Sequence, residues 1–332
     1  MPEGHSVHRI ARQFGANFVG RAAAVSSPQG RFQVGAAELD GRTMTSSRAI
    51  GKHLLLGFDD EGGASDAAFL HVHLGIYGAW DFAGAISVDP TIAAADGRMG
   101  QTGMRGAAGA DGEHEDSIAS IGAPRLARLR AGERERADEL AAFPPEPVGQ
   151  VRVRILTPVS VADLRGPTVC EVLDDDQVRA LAERLGPDPQ ALTESRRSAE
   201  DRFVARASRS GQAIGQLLMD QSVVAGIGNV YRAELLFRAR MAPHRPGSAV
   251  PEDELRALWR DWTKLLRIGV ETGQMLTIDG LRGERRAAAL ANRADRHWVY
   301  KREGMPCRRC GTPIALEVMQ GRKLYWCPGC QV

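Results

Sequence analysis

Cys307-Arg308-Arg309-Cys310 and Cys327-Pro328-Gly329-Cys330 are the two segments that decide how the end of this chain folds. Sixteen residues separate the pairs, and this C-x2-C-x16-C-x2-C spacing fits a tetrahedral site in which four thiolates bind Zn2+. Four protein ligands leave no open position on the metal, so we expect one structural zinc rather than a catalytic one. In so small a module, the free energy of zinc binding is largely the free energy of folding.

The segment between the cysteine pairs predicts a β-hairpin. Val318–Trp326 has a strand-like pattern, with Gly321 near the turn. The tip would present Arg322 and Lys323. Both side chains can bind phosphate through their positive charge, and arginine can also form two parallel hydrogen bonds to it. The alternative is that Arg322 only makes the surface soluble.

A second motif lies upstream, in the segment Leu217–Tyr231. It predicts two helices that meet across a glycine-rich turn, with Gly228 and Asn229 at the start of the second helix. Backbone N–H groups and the helix dipole at such a start favour an anion. A lone Gly-x-Gly is weak support, because an ordinary helix–helix turn has the same composition.

The first residues, Met1-Pro2-Glu3-Gly4-His5, carry the groups that an imine-forming enzyme needs. Removal of Met1 would leave the secondary amine of Pro2 beside the carboxylate of Glu3. An α-amino group has a pKa near ~7.7–8.0, against ~10.4 for lysine, so more of it is neutral and nucleophilic at pH 7. An amine nucleophile next to a general acid suits Schiff-base chemistry at a carbon such as a sugar C1′. The alternative is a frayed terminus whose proline opens a helix.

Composition argues against several classes of protein. A chain of 332 residues can form two domains with real cores, and it has no run of eighteen apolar residues that would span a membrane. The acidic Glu3, with no apolar segment after it, argues against a secretory signal. Four of the five cysteines fall in C-x-x-C pairs, which favours a metal site in a reducing compartment. We therefore expect a soluble cytoplasmic protein with no membrane partner.

Charge is distributed unevenly along the chain. The net charge of +2 combines −7 over residues 1–200 with +9 over residues 201–332, where there are 22 Lys and Arg and 13 Asp and Glu. Residues 280–332 alone hold 11 basic and 4 acidic side chains. Such a basic C-terminal region favours a polyanionic partner. A solvated basic face without any partner would have the same composition.

Hydrophobic periodicity predicts one helix and many short strands in the first half of the chain. Val7, Ile10, Ala11, Phe14 and Phe18 indicate a helix over residues 4–18. Strand patterns bounded by turn residues then recur at Ala22–Ser26, Phe32–Val34, Met44–Ala49, His53–Phe58, Ala68–Leu74, Val148–Pro158 and Thr168–Leu173. This pattern indicates a sandwich or barrel behind one helix.

The remaining segments differ in composition. Residues 83–142 are dominated by Gly, Ala and charged residues, so we expect a mostly disordered insertion with a short helix near Ala123–Arg136. Helical periodicity follows Asp176, with helices expected at Val178–Leu185, Ala199–Ala207, Ala213–Met219, Val230–Arg240 and Glu252–Glu271. The polar, arginine-rich segment Gln274–Asp295 is expected to be a loop.

Together these motifs resemble one known family. Pro2-Glu3-Gly4, Gly51-Lys52-His53, Gly226–Tyr231 and the four-cysteine hairpin with Arg322 occur in this order. That order is similar to the formamidopyrimidine/endonuclease VIII family of DNA glycosylases, and most similar to its actinobacterial endonuclease VIII-like members. The resemblance covers the chain except about residues 83–142. It implies a two-domain α+β fold with a catalytic β-sandwich domain over residues 1–173, a helical helix–two-turn–helix domain over 174–295 and a zinc finger over 296–332.

The resemblance also implies a reaction. Pro2 would attack C1′ of the damaged nucleoside, and Glu3 would act as the general acid that helps to open the sugar ring. Lys52 would contact the phosphates that flank the lesion. The iminium would then allow loss of the 3′ phosphate by β-elimination and of the 5′ phosphate by δ-elimination. The expected enzyme is a bifunctional DNA glycosylase and apurinic/apyrimidinic lyase of base excision repair.

DNA binding is implied at two further places. Asn229 of the helix–two-turn–helix motif and Arg322 of the zinc hairpin would bind backbone phosphate. In the loop Leu74–Gly78, Ile76 and Tyr77 would form the wedge that fills the space of the extruded nucleotide, although an ordinary strand end is the alternative. The expected partner is damaged DNA, double-stranded or single-stranded, held in a cleft between the domains of a monomer associated with the bacterial nucleoid.

Departures from the family pattern bear on the substrate. Members that act on 8-oxoguanine carry an Asp-x-Arg-Arg-Phe-Gly loop where this chain has Ala162–Thr168, so oxidised pyrimidines are the favoured substrates. Ser6-Val7-His8 replaces a second acidic residue of the first helix. Cys170 is expected to be a small core residue, and His71 and His73 to pack rather than to bind metal. The alternatives are a purine-directed glycosylase of the same family and a non-catalytic zinc-finger DNA-binding protein.

Overall fold

The computed structural model describes residues 2–60, 67–87, 120–122, 143–191 and 193–332. The chain divides into two compact units. The first comprises Met1–Glu183 together with Val270–Gly273, and the second comprises Arg184–Gly269 together with Gln274–Val332. Within the described ranges, no helix combines the length and the apolar character that a membrane span requires.

The first unit contains two five-stranded sheets in which neighbouring strands pair antiparallel. The first sheet runs in the order β1 (Arg21–Ala22), β3 (Thr43–Ile50), β4 (His53–Asp59), β5 (Ala68–His73) and β10 (Val169–Leu173). The second sheet runs in the order β2 (Ala24–Ser26), β8 (Val151–Leu156), β9 (Ser160–Arg165), β6 (Ala79–Gly84) and β7 (Ser120–Gly122).

Helix α1 (Gly4–Asn17) packs its apolar face into the core of this unit. Val7, Ile10 and Phe14 recur at helical spacing and are buried. The Phe14 ring meets Trp80 and Phe82 of β6 edge-on, at centroid distances of 4.8 and 5.2 Å. The same cluster contains inward-facing residues of both sheets: Leu54, Leu56, Leu70, Val72, Val153, Ile155 and Leu164. The predicted β-sandwich with an N-terminal helix is therefore confirmed.

One predicted strand is wrong. Phe32–Val34 does not form a strand, because it leads into helix α2 (Gln33–Leu39). Phe32, Ala36 and Leu39 are buried at spacings of four and three residues, whereas Val34 is 85% exposed. Three residues are too few to distinguish the two-residue period of a strand from the 3.6-residue period of a helix. In the structure, the buried residues of this segment follow the helical period.

The predicted insertion at residues 83–142 is partly structured. β7 adds Ser120–Gly122 to the edge of the second sheet, where Ile121 pairs with Trp80. These three residues therefore do not belong to a disordered segment. The rest of the predicted disorder from residue 88 onward, including the helix expected near Ala123–Arg136, lies outside the described residues.

The later part of the chain is helical and ends in a hairpin. It forms α3 (Asp175–Arg184), α4 (Arg196–Ser208), α5 (Ile214–Leu217), α6 (Asn229–Arg238), α7 (Glu252–Thr272), α8 (Gly283–Ala291), β11 (Ala315–Met319) and β12 (Arg322–Trp326). The last residues of α7 are assigned to the first unit, as is α3 up to Glu183. Helix α8 corrects the loop predicted over Gln274–Asp295. That segment has few large apolar residues to show a period, but its Ala, Arg and Glu residues favour a helix.

A buried carboxylate joins α6 to the segment that leads into the cysteine module. Glu234 is fully buried on α6. Its two oxygens accept the backbone N–H groups of Trp298, Val299 and Tyr300 at 2.8–2.9 Å, and the hydroxyl of Thr277 donates to the same carboxylate. A charged acceptor that satisfies several buried donors fixes the backbone more strongly than an apolar contact would.

We predict that Glu234→Ala destabilises the second unit by about 3 kcal/mol, because it leaves buried N–H groups without an acceptor. Chemical denaturation of the purified chain measures this change. Glu284→Ala, on the exposed side of α8, is the matched control and should shift the unfolding free energy by less than about 0.5 kcal/mol. Equal effects of the two variants would contradict the anchoring role of Glu234.

Candidate functional site

Pro2 and Glu3 lie buried at the start of α1. Glu3 immediately precedes the helix in an extended conformation (φ −124°, ψ −175°), and its backbone oxygen accepts a hydrogen bond from Ser6 N at 3.0 Å. A buried prolyl residue and a buried acid therefore lie side by side just before α1, with His5 and Ser6 of its first turn also buried.

Arg9 fixes the helix that carries these residues. Its guanidinium is fully buried, and Nη1 donates to Val270 O at 2.8 Å. Val270 lies in the last turn of α7, where backbone carbonyl groups form the negative end of the helix dipole. Gly273 follows with φ +69°, and a side chain at this position would press on the Arg9 guanidinium. Arg9 was not identified from the sequence as a supporting residue, because its hydrogen-bond partner lies 261 residues away.

Lys52 lies in the turn between β3 and β4. Ile50 pairs with His53, so Gly51 and Lys52 form a two-residue hairpin loop. Gly51 has φ +60°, as the first position of a type II′ turn requires. The turn presents the partly exposed Lys52 at the end of the hairpin.

The loop Leu74–Gly78 presents two apolar side chains to solvent. Gly75 has φ +65°, and a Cβ atom there would collide with the side chain of Thr168. Gly78 N donates to Leu74 O at 2.9 Å, an approach too close for any side chain at Gly78. Ile76 and Tyr77 lie between these glycines and are 53% and 50% exposed. Large apolar residues on a constrained, exposed loop suit a wedge, which remains a prediction.

A relay of hydrogen bonds crosses the first sheet beside the Lys52 turn. Glu171 Oε1 lies 2.9 Å from His71 Nδ1, and His71 Nε2 lies 2.9 Å from His53 Nδ1. If His71 carries its proton on Nδ1, its Nε2 accepts the N–H of His53. The His73 ring packs against His53 at a centroid distance of 5.1 Å. The relay depends on the pairing of three strands, which the sequence alone does not specify.

In the second unit, Gln221 holds the turn that precedes α6. Its side-chain nitrogen donates to Ile227 O at 3.0 Å, and its side-chain oxygen accepts from Gly226 N at 2.9 Å. Gly226 has φ +93°, a backbone conformation that residues other than glycine rarely adopt. These contacts set the direction in which α6 begins at Asn229.

Asn229 contacts the hairpin of the cysteine module. Its Nδ2 donates to Lys323 O at 2.8 Å, and its Oδ1 accepts from Arg232 Nη2 at 2.5 Å. A side-chain amide carries two N–H groups, so Asn229 can hold the hairpin and still donate to a ligand oxygen. The structure thus brings Asn229 next to the residue that follows Arg322.

The hairpin tip confirms the predicted turn. Met319 pairs with Arg322, so Gln320 and Gly321 form a two-residue loop. Both have positive φ, at 50° and 70°, as a type I′ turn requires. Arg322 is exposed beside the turn, while Leu324 on the same strand is fully buried.

The four predicted cysteine ligands converge. Their sulfur atoms all lie within 4.8 Å of one another, and no other group of three or more His, Cys, Asp and Glu in the described ranges could hold a metal ion. The Sγ atoms of Cys307 and Cys330 are 3.9 Å apart, and those of Cys310 and Cys327 are 3.5 Å apart. A tetrahedron with Zn–S bonds of about 2.3 Å has edges of about 3.8 Å, so the residues fit one structural zinc ion.

Arg309 attaches the first cysteine knuckle to α6. Its guanidinium carbon lies 4.7 Å from the ring centroid of Phe237 and 4.8 Å from that of Trp298. These cation–π contacts add to the Glu234 anchor.

The predicted site residues are thus divided between the units. The first unit holds Pro2, Glu3, Lys52, Ile76 and Tyr77, whereas the second holds Asn229, Arg322 and the four cysteines.

Three family models match the chain. A model of the formamidopyrimidine-DNA glycosylase N-terminal domain matches residues 1–107. A model of the formamidopyrimidine-DNA glycosylase H2TH domain matches residues 185–279. A model of the zinc finger found in FPG and IleRS matches residues 304–332.

Curated relatives and solved structures agree with these models. Endonuclease 8 1 of Mycobacterium tuberculosis is 38% identical over 331 residues, and the match covers 100% of both chains. Formamidopyrimidine-DNA glycosylase of Thermus thermophilus is 40% identical over 149 residues, which are 45% of this chain and 54% of that protein. The crystal structure of the MutM (Fpg) protein of Thermus thermophilus has a TM-score of 0.62 at 25% identity and covers 99% of this chain and 98% of that one. The Lactococcus lactis Fpg complex with DNA containing an abasic site has the same fold, with a TM-score of 0.64 at 19% identity and 99% of both chains covered.

We predict that the purified chain binds one zinc ion and that Cys310→Ser loses most of it, because three thiolates hold zinc far less tightly than four. Elemental analysis measures the stoichiometry, and hydrogen exchange of β12 should accelerate as the metal is lost. Cys170→Ser is the matched control, since this thiol lies in β10 against the core and burial raises its pKa to about 12. Unchanged zinc content in Cys310→Ser would contradict the site.

Proposed function

The chain belongs to the formamidopyrimidine-DNA glycosylase/endonuclease VIII family, and from this membership we propose that it is a DNA glycosylase and abasic-site lyase of base excision repair that removes oxidised bases, with pyrimidines favoured. The observation that carries the proposal is the similarity to Endonuclease 8 1 over the whole chain. The burial of Pro2 and Glu3 directly before α1 supports it independently.

Pro2 is the proposed nucleophile, once Met1 has been removed. Its nitrogen would form a bond to C1′ of the damaged nucleotide while the bond from C1′ to the base breaks, and the departing base would take up the proton that the prolyl nitrogen loses. Opening of the sugar ring then gives an iminium between Pro2 and C1′. The iminium acidifies C2′–H, so loss of that proton expels the 3′ phosphate, and a second elimination expels the 5′ phosphate.

Glu3 is the proposed general acid for ring opening. It would give a proton to the ring oxygen O4′ as the bond from C1′ to that oxygen breaks. Its place directly before α1 makes it the neighbour of Pro2 in the chain. Burial shields the pair from water, which would otherwise compete for the iminium.

Phosphate contacts are proposed in both units. Lys52 in its hairpin turn would bind the phosphates that flank the lesion, and Asn229 and Arg322 would bind backbone phosphate from the second unit. Ile76 and Tyr77 would fill the stack after the damaged nucleotide is extruded. The basic residues 280–332 favour the same polyanionic partner.

Two observations favour pyrimidine lesions. A relative that matches over the whole chain carries the name Endonuclease 8 1. In addition, Ala162–Arg165 form part of β9 rather than a loop, and their polar side chains are held in ion pairs. Asp163 pairs with Arg154 at 2.7 Å, and Arg165 pairs with Asp81. The relatives named formamidopyrimidine-DNA glycosylase support a purine-directed enzyme as the second candidate.

We predict that borohydride traps a covalent adduct between the wild-type chain and an oligonucleotide with an abasic site, because it reduces the iminium to a stable amine. Pro2→Gly should trap at least about 100-fold more slowly. Glu3→Gln should slow base excision by about 100-fold or more, the usual contribution of a general acid. Pro28→Gly, in a turn of the same unit, is the matched control and should trap like wild type.

Mass spectrometry of the intact chain must accompany this experiment, because the mechanism needs a free Pro2 amine. An adduct that forms equally well with Pro2→Gly contradicts the assignment of the nucleophile. Tight binding of damaged DNA with no adduct and with Met1 retained would instead identify a non-catalytic zinc-finger DNA-binding protein.

A panel of lesion duplexes tests the substrate class. We predict that single-turnover excision of 5-hydroxyuracil and thymine glycol is at least about tenfold faster than excision of 8-oxoguanine, which corresponds to about 1.4 kcal/mol of differential transition-state binding. Faster excision of 8-oxoguanine would establish the purine-directed alternative.

A further inference from the structure

Arg232 is a buried arginine that the proposed reaction does not use. It lies on α6, one turn after Asn229, and its side chain is 0% exposed. One of its nitrogens, Nη2, donates to Asn229 Oδ1 at 2.5 Å and approaches Lys323 O at 3.2 Å. Burial of a guanidinium costs several kcal/mol unless hydrogen bonds offset it, so its contacts are informative.

The carbonyl group of Lys323 is an acceptor on the outer edge of the hairpin. Met319 and Arg322 close the two-residue turn, so they form a hydrogen-bonded pair, and the next pair, Val318 and Lys323, is non-hydrogen-bonded. The carbonyl of Lys323 therefore points away from β11. It accepts instead from Asn229 Nδ2 at 2.8 Å and from Arg232.

These three groups form a closed triangle of hydrogen bonds. Arg232 orients the amide of Asn229, the amide holds Lys323 O, and Arg232 also reaches that oxygen. The assignment of oxygen and nitrogen in Asn229 follows from this geometry, because only the amide nitrogen can donate to a carbonyl group.

We propose that Arg232 is a positioning residue that locks the start of α6 to the zinc hairpin, so that Asn229 and Arg322 present one pre-assembled site for a single stretch of DNA backbone phosphate. This inference rests on the proposed function for the nature of the ligand. Arg232 itself touches no phosphate, and it acts by fixing the direction in which the second N–H of Asn229 points and the position of the hairpin tip.

Arginine suits this role better than lysine. The guanidinium is planar and presents several N–H groups in fixed directions, so it can serve two acceptors at once. A lysine ammonium has a flexible stem and a stronger hydration shell. Pre-organisation of this kind improves DNA affinity by reducing the ordering that binding would otherwise require.

The experiment compares Arg232→Met and Arg232→Lys with wild type. Fluorescence anisotropy measures the Kd for a duplex that carries a tetrahydrofuran abasic analogue, over a series of salt concentrations. We expect both variants to weaken binding by about tenfold, while the single-turnover rate of β-elimination at an abasic site changes less than about twofold at saturating DNA. The slope of log Kd against log salt should stay unchanged, because no phosphate contact is lost directly.

A double-mutant cycle with Arg322→Ala tests the coupling. Arg322→Ala alone should reduce the salt slope by about one, as the loss of one phosphate contact does. If Arg232 acts through the hairpin, adding Arg232→Met to Arg322→Ala should weaken binding by less than about threefold more. Independent tenfold effects, a reduced salt slope in Arg232→Met, or full rescue by Arg232→Lys would overturn the proposal.

Zinc content and melting temperature are measured for each variant, as controls that it has folded correctly. If Arg232→Met does not fold, Arg232→Gln replaces it, because glutamine retains one donor towards Asn229 but cannot also reach Lys323 O. The same weakened DNA binding is expected of this variant.

The inference about Arg232 can fail separately from the proposed function. Borohydride trapping reports on the function, whereas the cycle can also be measured with undamaged duplex and does not depend on any adduct.

Discussion

Four cysteine sulfurs that lie within 4.8 Å of one another, as one structural zinc ion requires, constrain the end of the second unit. The module from residue 304 onward has few buried apolar side chains of its own, so metal binding largely determines its fold. Once folded, the module is attached to α6 at two places: the cation–π contact of Arg309 with Phe237 and the Asn229–Lys323 hydrogen bond. The Glu234 carboxylate holds the segment that leads into the module. The metal therefore acts on the proposed phosphate site through backbone geometry, although it lies outside the chemistry.

The first unit positions its proposed nucleophile by packing instead. Pro2 and Glu3 have no regular structure of their own, and they are placed by α1, whose apolar face is buried between two sheets. Arg9 adds a charged contact with the last turn of α7, a segment from the far end of the sequence. In the Leu74–Gly78 loop, by contrast, Ile76 and Tyr77 are exposed, between two glycines at which any side chain would clash. Burial of Pro2 and Glu3 together with exposure of Ile76 and Tyr77 suits the proposed extrusion of a nucleotide.

Patterns that repeat over many residues were predictable, and short or polar ones were not. The α1 helix and the longer strands each extend over more than one period, and both are present, as is the hairpin between the cysteine pairs. Phe32–Val34 is too short to show a period, and the α8 segment has too few large apolar residues to show one. The Glu171–His71–His53 relay and the Arg232 triangle were missed for another reason. Each joins residues whose proximity depends on strand register or on helix-to-hairpin packing.

The sequence by itself determined the chemistry that this protein can carry: a prolyl residue beside an acid, four thiolates at zinc spacing, and a basic C-terminal region. Residue type and short-range spacing are sufficient for these features, because a ligand set or a nucleophile–acid pair is local in the chain. Only the tertiary structure decided which side chains support that chemistry. Arg9 and Arg232 are buried charges, and each has an acceptor far along the chain, 261 residues away for Arg9 and 91 residues away for Arg232. A buried charge is stable only where the fold supplies acceptors, and no local pattern records where those acceptors lie.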